Sequence, residues 1–146
     1  MAAFSATLSP PIVAAYDFSR FRCLADVGGG TGRQLADILK AHPALTGILF
    51  DLPHVIEEAR PMLASSGVRD RCRLETGSFF NAVPRGADAY ILKHILHNWD
   101  DERAIQILAA CRKAVPDDGR LLIIERVMPE RAVPGRSEPG QLLLPR

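Results

Sequence analysis

Residues 26–32 of this chain read Asp26-Val27-Gly28-Gly29-Gly30-Thr31-Gly32. The apolar run 22–27 that leads into the glycines predicts a β-strand, and residues 33–41 place Leu35, Ile38 and Leu39 on one face of a helix. Glycine lacks a Cβ and tolerates a positive φ, so a turn of this kind lets the backbone pass close to a ligand. The alternative is a tight strand-to-helix turn that needs glycine for packing alone.

The residues that follow repeat this alternation of strand and helix. Strands are predicted at residues 46–51, 72–76, 87–92 and 121–124, with one helix over about 54–64 and another that opens at Asp100. In the second of these helices the residues with core-face spacing are Ile105, Leu108, Ala109 and Arg112. The alternation predicts an α/β fold with a mostly parallel sheet that is covered on both faces.

The composition of the 146 residues excludes several classes of protein. The net charge of +1, with both signs interspersed, lacks the basic patch of a nucleic-acid-binding protein, so no nucleic-acid partner is expected. Cys23, Cys72 and Cys111 show no metal-ligand spacing and indicate buried thiols in a reducing compartment. The absence of a secretory signal and of a membrane-length apolar run predicts a cytoplasmic protein without a membrane partner.

Three regions are expected along the chain. Residues 1–20 are a lead-in rich in small residues that we expect to be helical, and residues 21–128 form the α/β domain. Residues 129–146 contain four prolines and two glycines without periodicity, which predicts a disordered tail.

The glycine spacing and Asp51 together indicate a nucleoside ligand. A dinucleotide fingerprint has a third glycine where this chain has Arg33, and a phosphate-binding P-loop has a Lys-Ser/Thr pair that is absent after these glycines. Asp51 ends the second strand nineteen positions after Gly32, where its carboxylate can accept hydrogen bonds from both ribose hydroxyls. NAD sites and S-adenosylmethionine sites share that geometry. The alternative is that Asp51 caps the following helix.

Three motifs, in this order, resemble those of one enzyme family. They are Ala25-Asp26-Val27-Gly28-Gly29-Gly30-Thr31-Gly32, then Phe50-Asp51-Leu52-Pro53-His54-Val55, then Leu92-Lys93-His94-Ile95-Leu96-His97-Asn98-Trp99-Asp100-Asp101-Glu102. From about Phe18 to Pro129 the sequence resembles the S-adenosylmethionine-dependent O-methyltransferases, which include caffeic acid, isoflavone, hydroxyindole and bacterial polyketide enzymes. The resemblance implies a Rossmann-like class I methyltransferase core with strand order 3-2-1-4-5.

The resemblance also implies roles for individual residues. His97 stands where the family has the general base that takes the proton of a substrate hydroxyl, and Glu125 matches the acidic residue beside that imidazole. The implied acceptor is a small, hydroxylated, aromatic molecule, and no metal is expected. The residues that would bind the cofactor S-adenosyl-L-methionine are Asp26, Gly28, Gly29, Gly30, Gly32, Asp51, Leu52, Ser78, Phe79, Lys93 and Trp99.

Several of these residues have a structural alternative. His94 and His97 are three residues apart and could be zinc ligands, although no third ligand follows at a suitable interval. His97 could instead cap the next helix, Trp99 could belong to the core, and Glu125 could lie on the surface beyond a strand end. Ser78 stands where many relatives have an aspartate that reaches the adenine amino group, so it offers only a hydroxyl there.

Parts of the family fold have no counterpart in the sequence. Relatives have an N-terminal helical domain that forms homodimers and covers the acceptor, and two more strands after the fifth. Without those strands the fifth strand would be an open edge with unpaired backbone groups. We therefore expect a truncated O-methyltransferase domain. The alternatives are a non-catalytic cofactor-binding remnant or interaction module and, on Asp51 alone, an NAD-dependent oxidoreductase.

Overall fold

A computed structural model describes residues 16–125 and the backbone of residues 141–143. In this part of the chain six strands form one sheet: β1 (Cys23–Val27), β2 (Thr46–Asp51), β3 (Cys72–Thr76), β4 (Ala89–Lys93), β5 (Arg120–Glu125) and β6 (Gln141–Leu143). The α-helices among the described residues are α1 (Arg33–Ala41), α2 (Pro53–Ser66) and α3 (Asp101–Ala114). Short 3-10 helices lie at Phe18–Arg20, Arg69–Arg71 and Leu96–Asn98.

The strands follow the order β3-β2-β1-β4-β5-β6. The first five pair in parallel, which confirms the predicted order 3-2-1-4-5. The open edge predicted for the fifth strand is wrong, because β6 pairs antiparallel with β5 and places Gln141 opposite Glu125. These three residues belong to the region predicted as a disordered tail. A strand this short has too few residues for a readable pattern, and its partner is distant in sequence.

The sheet is the middle layer of three. Alternate residues of the central strands point to opposite faces, so Leu24 and Leu49 belong to one core cluster and Ala25 and Ile48 to the other. Helices α1 and α2 cover the first face, and α3 covers the second. This arrangement is the predicted α/β fold with both faces covered.

The buried faces of the helices match the prediction for α1 and differ for α3. Leu35, Ile38 and Leu39 of α1 are fully buried, as predicted. In α3 the predicted core position Leu108 packs partly buried against the core, whereas Ile105 is 65% exposed and Ala109 and Arg112 are exposed as well. The residues of α3 that are buried instead are Ile107, Ala110 and Cys111. Both sets have helical spacing, and the face with the small residues is the one that packs against the sheet.

The lead-in predicted as helical lies mostly outside the described residues, which begin at residue 16. From there Phe18–Arg20 form one 3-10 turn, and the side chain of Phe18 is fully buried in the core with Phe21. Of the tail, residues 129–140 and 144–146 also lie outside the described part. Among the described helices, none has the length and hydropathy needed to span a membrane.

Candidate active site

The glycine loop lies at the carboxyl end of β1, where the chain turns into α1. The N–H of Gly28 donates to the carbonyl oxygen of Phe50 at 2.8 Å, which ties the loop to the end of β2. Gly28, Gly30 and Gly32 have positive φ values of 71°, 61° and 81°. A Cβ on Gly28 would lie 2.7 Å from Cδ1 of Ile95, whereas a Cβ on Gly30 would meet nothing within 4 Å. At Gly28 the positive φ favours glycine and a Cβ would also crowd Ile95, while Gly30 borders open space.

Asp51, the last residue of β2, contacts this loop from the neighbouring strand. Its Oδ2 accepts a hydrogen bond from the N–H of Gly30 at 3.0 Å, and its Oδ1 accepts one from the N–H of Leu52 at 2.7 Å. The N-cap of α2 is Leu52, so Asp51 is not the helix cap considered as an alternative. A carboxylate offers about four acceptor sites, so Asp51 retains capacity for further donors.

Asp26 and Lys93 are two ionisable groups on the adjacent strands β1 and β4. Asp26 is 2% exposed, and burial raises the pKa of its carboxyl to about 7, although the charge of Lys93 opposes that rise. Burial likewise lowers the pKa of the Lys93 amine, which the charge of Asp26 opposes. A Cβ on Gly29 would lie 2.8 Å from the carboxyl carbon of Asp26, so the glycine loop packs directly on this carboxyl group.

Sequence reasoning missed the role of Gln34 beside this pair. The Nζ of Lys93 donates to Oε1 of Gln34 at 2.8 Å, which connects β4 to the first turn of α1. Gln34 is 3% exposed. The sequence did offer a signal for this role, because Gln34 is a polar residue at the start of a helix and directly precedes Leu35 of the predicted core face.

Aromatic side chains lie beside the glycine loop near Gly28. Trp99 is 40% exposed, so it is not the core residue considered as an alternative. Its ring meets Phe80 edge-on with centroids 4.7 Å apart and Phe79 with centroids 6.3 Å apart. Phe79 reaches the loop, since a Cβ on Gly28 would lie 3.3 Å from its Cε2. The Oγ of Ser78 accepts a hydrogen bond from the N–H of Phe80 at 3.3 Å.

His97 and Glu125 meet at the ends of neighbouring strands. Nδ1 of His97 lies 2.7 Å from Oε2 of Glu125, whose other oxygen accepts a hydrogen bond from the N–H of Leu96 at 3.1 Å. The Glu125 side chain is only 14% exposed, so the surface alternative for this residue is wrong. The N-cap of α3 is Asp100, which likewise excludes His97 as the helix cap. The His97 side chain is 53% exposed and accessible to a small molecule.

His94 joins this pair, which the sequence did not predict. Its Nδ1 lies 3.8 Å from Oε2 of Glu125, and its φ of 54° turns the chain sharply after β4. The acidic neighbour that the sequence did not place beside His94 and His97 is Glu125 of β5, the strand paired with β4. Parallel pairing of those two strands was the available signal, since it places the end of one beside the end of the other.

The predicted site residues thus lie along one edge of the sheet. The glycine loop and Asp51 are at the ends of β1 and β2, and the loop after β4 carries both Ile95, which packs on Gly28, and His97. A ligand at this edge would meet main-chain N–H groups, a carboxylate, aromatic rings and an imidazole. This is also the edge at which α/β sheets bind their ligands.

Comparison with known proteins identifies the family. The family model for the O-methyltransferase domain matches residues 1–141. The chain belongs to the O-methyltransferase domain family. S-adenosylmethionine, the cofactor predicted from the sequence, is confirmed as the cofactor of this family.

Individual members of the family are similar over most of this chain. A phenazine O-methyltransferase PhzM of Lysobacter antibioticus is 47% identical over 133 residues, which are 91% of this chain and 39% of that protein. The crystal structure of LaPhzM superimposes with a TM-score of 0.86 at 47% identity, covering 91% of this chain and 40% of that one. This chain therefore spans about two fifths of the length of the relatives it matches.

Another relative has a crystal structure with two ligands bound. This O-methyltransferase from neocarzinostatin biosynthesis, in complex with S-adenosyl-L-homocysteine and 1,4-dihydroxy-2-naphthoic acid, gives a TM-score of 0.80 at 36% identity. The match covers 86% of this chain and 39% of that one. The residues of the present chain fit such a cofactor, because Gly30 borders open space, Asp51 has spare acceptor capacity and Trp99 presents an exposed ring.

Proposed function

We propose that residues 21–128 are the cofactor-binding and catalytic part of an S-adenosylmethionine-dependent O-methyltransferase that methylates a hydroxyl group of a small aromatic acceptor. The observation that carries the proposal is the 2.7 Å contact between Nδ1 of His97 and Oε2 of Glu125. Family membership and the dihydroxynaphthoic acid bound to one relative support the reaction and the class of acceptor.

The glycine loop and its neighbours hold the cofactor in this proposal. Main-chain N–H groups of the loop take the amino-acid part, Asp51 accepts hydrogen bonds from the ribose, and Trp99 with Leu52 flanks the adenine. Leu52 is 43% exposed beside Asp51, so an apolar surface is available there. The bound cofactor supplies a methyl group that its positive sulfur already activates. The protein then has to align the acceptor and remove a proton.

His97 performs the proton transfer. Its Nδ1–H donates to the Glu125 carboxylate, which leaves Nε2 unprotonated and able to take the proton of the acceptor hydroxyl. In this transfer the acceptor O–H bond would break as its oxygen forms the bond to the methyl carbon, and the proton would stay on Nε2. The bond from that carbon to sulfur would break at the same time, with its electron pair left on sulfur, so that S-adenosyl-L-homocysteine is the leaving group. The negative charge of Glu125 stabilises the imidazolium that results. The hydrogen bond from Leu96 N–H keeps that carboxylate in place.

A second candidate function is cofactor binding without methyl transfer. The observation that favours it is that the contacts assigned to the cofactor, at the glycine loop, Asp51 and Trp99, do not depend on an acceptor, and the chain spans 39% of the length of one curated relative. The cofactor site of the described residues would serve both functions equally well.

Two successive measurements separate these candidates. Calorimetry with S-adenosyl-L-homocysteine is expected to show binding with one site per chain in both cases. A methyl-transfer assay over a panel of phenols and naphthols then gives turnover for the methyltransferase and none for the binding remnant. If S-adenosyl-L-homocysteine does not bind, both candidate functions are contradicted. Saturable quenching of NADH fluorescence would instead favour the NAD-dependent oxidoreductase.

A further inference from the structure

We propose that His94, His97 and Glu125 form a binding site for a transition-metal ion such as Zn²⁺, and that an ion bound there blocks proton transfer by His97. The three side chains each present one ligand atom, and these atoms lie within 4.8 Å of one another. Two imidazoles and a carboxylate are a known type of ligand set for zinc and for other transition metals.

Two of the three separations between the ligand atoms lie near the value for a single ion, and all three are within 4.8 Å. Two atoms bound to one tetrahedral zinc ion at the usual bond lengths are about 3.4 Å apart. The separations from Oε2 of Glu125 to Nδ1 of His94 and to Nδ1 of His97 are 3.8 and 2.7 Å, on either side of that value. A shift of the exposed His97 side chain by about 0.7 Å would bring its Nδ1 to about 3.4 Å from Oε2 of Glu125.

The main chain holds these ligands in place before any ion arrives. The N–H of His94 donates to the carbonyl oxygen of Ile124 at 2.9 Å, and the His94 carbonyl oxygen accepts from Nδ2 of Asn98 at 3.2 Å. Glu125 keeps Oε1 on the N–H of Leu96, so Oε2 remains for the metal. Such outer contacts orient ligands and raise metal affinity.

The ligand types and the exposure indicate which ion binds and with what geometry. Magnesium and calcium prefer sites built from oxygen atoms alone, whereas imidazole favours zinc, cobalt, nickel and copper. The side chains of His94 and Glu125 are 17% and 14% exposed, while that of His97 is 53% exposed. The open side at His97 leaves a fourth position for water, so this is a three-ligand site of the open type.

An ion at this site changes the state of the base. A neutral imidazole that binds metal through Nδ1 carries its remaining proton on Nε2, so His97 then has no lone pair for the acceptor proton. The ion also withdraws Oε2 of Glu125 from His97. This inhibitory consequence rests on the proposed function, whereas metal binding itself does not.

Titration of the metal-free chain with Co²⁺ tests the site, because the visible d–d absorption of Co²⁺ reports its coordination. We expect one equivalent to bind with the intense bands of four- or five-coordinate cobalt, and Zn²⁺ but not Mg²⁺ to displace it. His94→Asn and Glu125→Gln should each weaken the affinity by about tenfold or more. Asparagine is suited to position 94 because it tolerates a positive φ. His54→Asn, which removes an exposed histidine elsewhere, should leave the affinity unchanged.

Two results would overturn the site. One is the absence of cobalt bands, and the other is equal affinity in His94→Asn, Glu125→Gln and His54→Asn, with circular dichroism showing that each variant is folded. The titration contains neither cofactor nor acceptor, so its failure leaves methyl transfer untouched. In a preparation that transfers methyl groups, full activity with the site occupied would contradict the inhibitory consequence, and recovery of lost activity on chelation would support it.

Discussion

Oδ2 of Asp51 accepts a hydrogen bond from the N–H of Gly30 at 3.0 Å, so the residue proposed to bind the ribose also holds the glycine loop. The two residues are on different strand-to-helix turns, and the contact fixes one turn relative to the other. Because a Cβ on Gly30 would meet nothing within 4 Å, a ligand could approach there, and the loop conformation and the proposed ligand contacts would then depend on the same carboxylate.

Replacing Asp51 by Asn should therefore weaken cofactor binding. The amide keeps one acceptor oxygen but loses the charge, and hydrogen bonds to charged groups contribute about 1.5–3 kcal/mol. We expect the affinity for S-adenosyl-L-homocysteine to fall about 10- to 100-fold by calorimetry. Asp70→Asn, at an exposed position in the 3-10 helix Arg69–Arg71, is the matched control and should bind normally. Equal affinities for the two variants would remove Asp51 from the site.

The substitution Gly30→Ala separates ligand contact from backbone strain. Gly30 and Gly67 both have positive φ, at 61° and 85°, and a Cβ at either position meets nothing within 4 Å. Both alanine variants should lose about 1–2 kcal/mol of unfolding free energy from the left-handed conformation. Only Gly30→Ala should also reduce the affinity for S-adenosyl-L-homocysteine, because its methyl group would occupy the ligand side. A comparable loss of affinity in Gly67→Ala would show that strain alone is responsible.

The buried carboxyl of Asp26 should make stability depend on pH. Its pKa is raised from 3.8 to about 7 by burial, so between these values the folded state holds a proton that the unfolded state has released. Stability contributed by this group is therefore present below pH 4 and is lost as the pH rises towards 7 and above. Against Asp26→Asn, which has no such proton, the wild-type chain should lose up to about 4 kcal/mol from pH 4 to 8. Urea unfolding at several pH values measures this, and parallel pH profiles would contradict it.

The single tryptophan gives a direct signal for the ligand. Trp99 is 40% exposed and its ring is perpendicular to that of Phe80, so the exposed part of the indole is available to an adenine. Addition of S-adenosyl-L-homocysteine should change its fluorescence intensity and emission maximum, with a midpoint equal to the calorimetric Kd. Binding seen by calorimetry without any change in Trp99 emission would place the adenine elsewhere.

The strand order and the glycine loop were predictable because their determinants are local. The apolar run before Gly28, the apolar face of α1 and the position of Asp51 are each visible within a few residues. Parallel strands joined by helices then leave few possible sheet orders. The three motifs added the residue roles, which spacing alone could not supply.

The features that the sequence did not reveal depend on contacts between distant segments. The buried face of α3 was misassigned because Ile105 and Ile107 lie on two different apolar faces of the helix. Only packing against the sheet decides which of these faces is buried. β6 was missed because three residues carry no pattern, and its partner is β5. His94 lies beside Glu125 only because β4 pairs with β5.

His97 is the proposed general base of the methyl transfer. Single-turnover methyl transfer from S-adenosylmethionine to a responsive phenol should be measured for the wild-type chain, His97→Asn and the control His54→Asn. We predict that His97→Asn lowers the rate about 10²- to 10⁴-fold while its affinity for S-adenosyl-L-homocysteine stays within about twofold, and that His54→Asn retains the rate. A rate for His97→Asn within about threefold of the wild-type rate would show that His97 is not the general base.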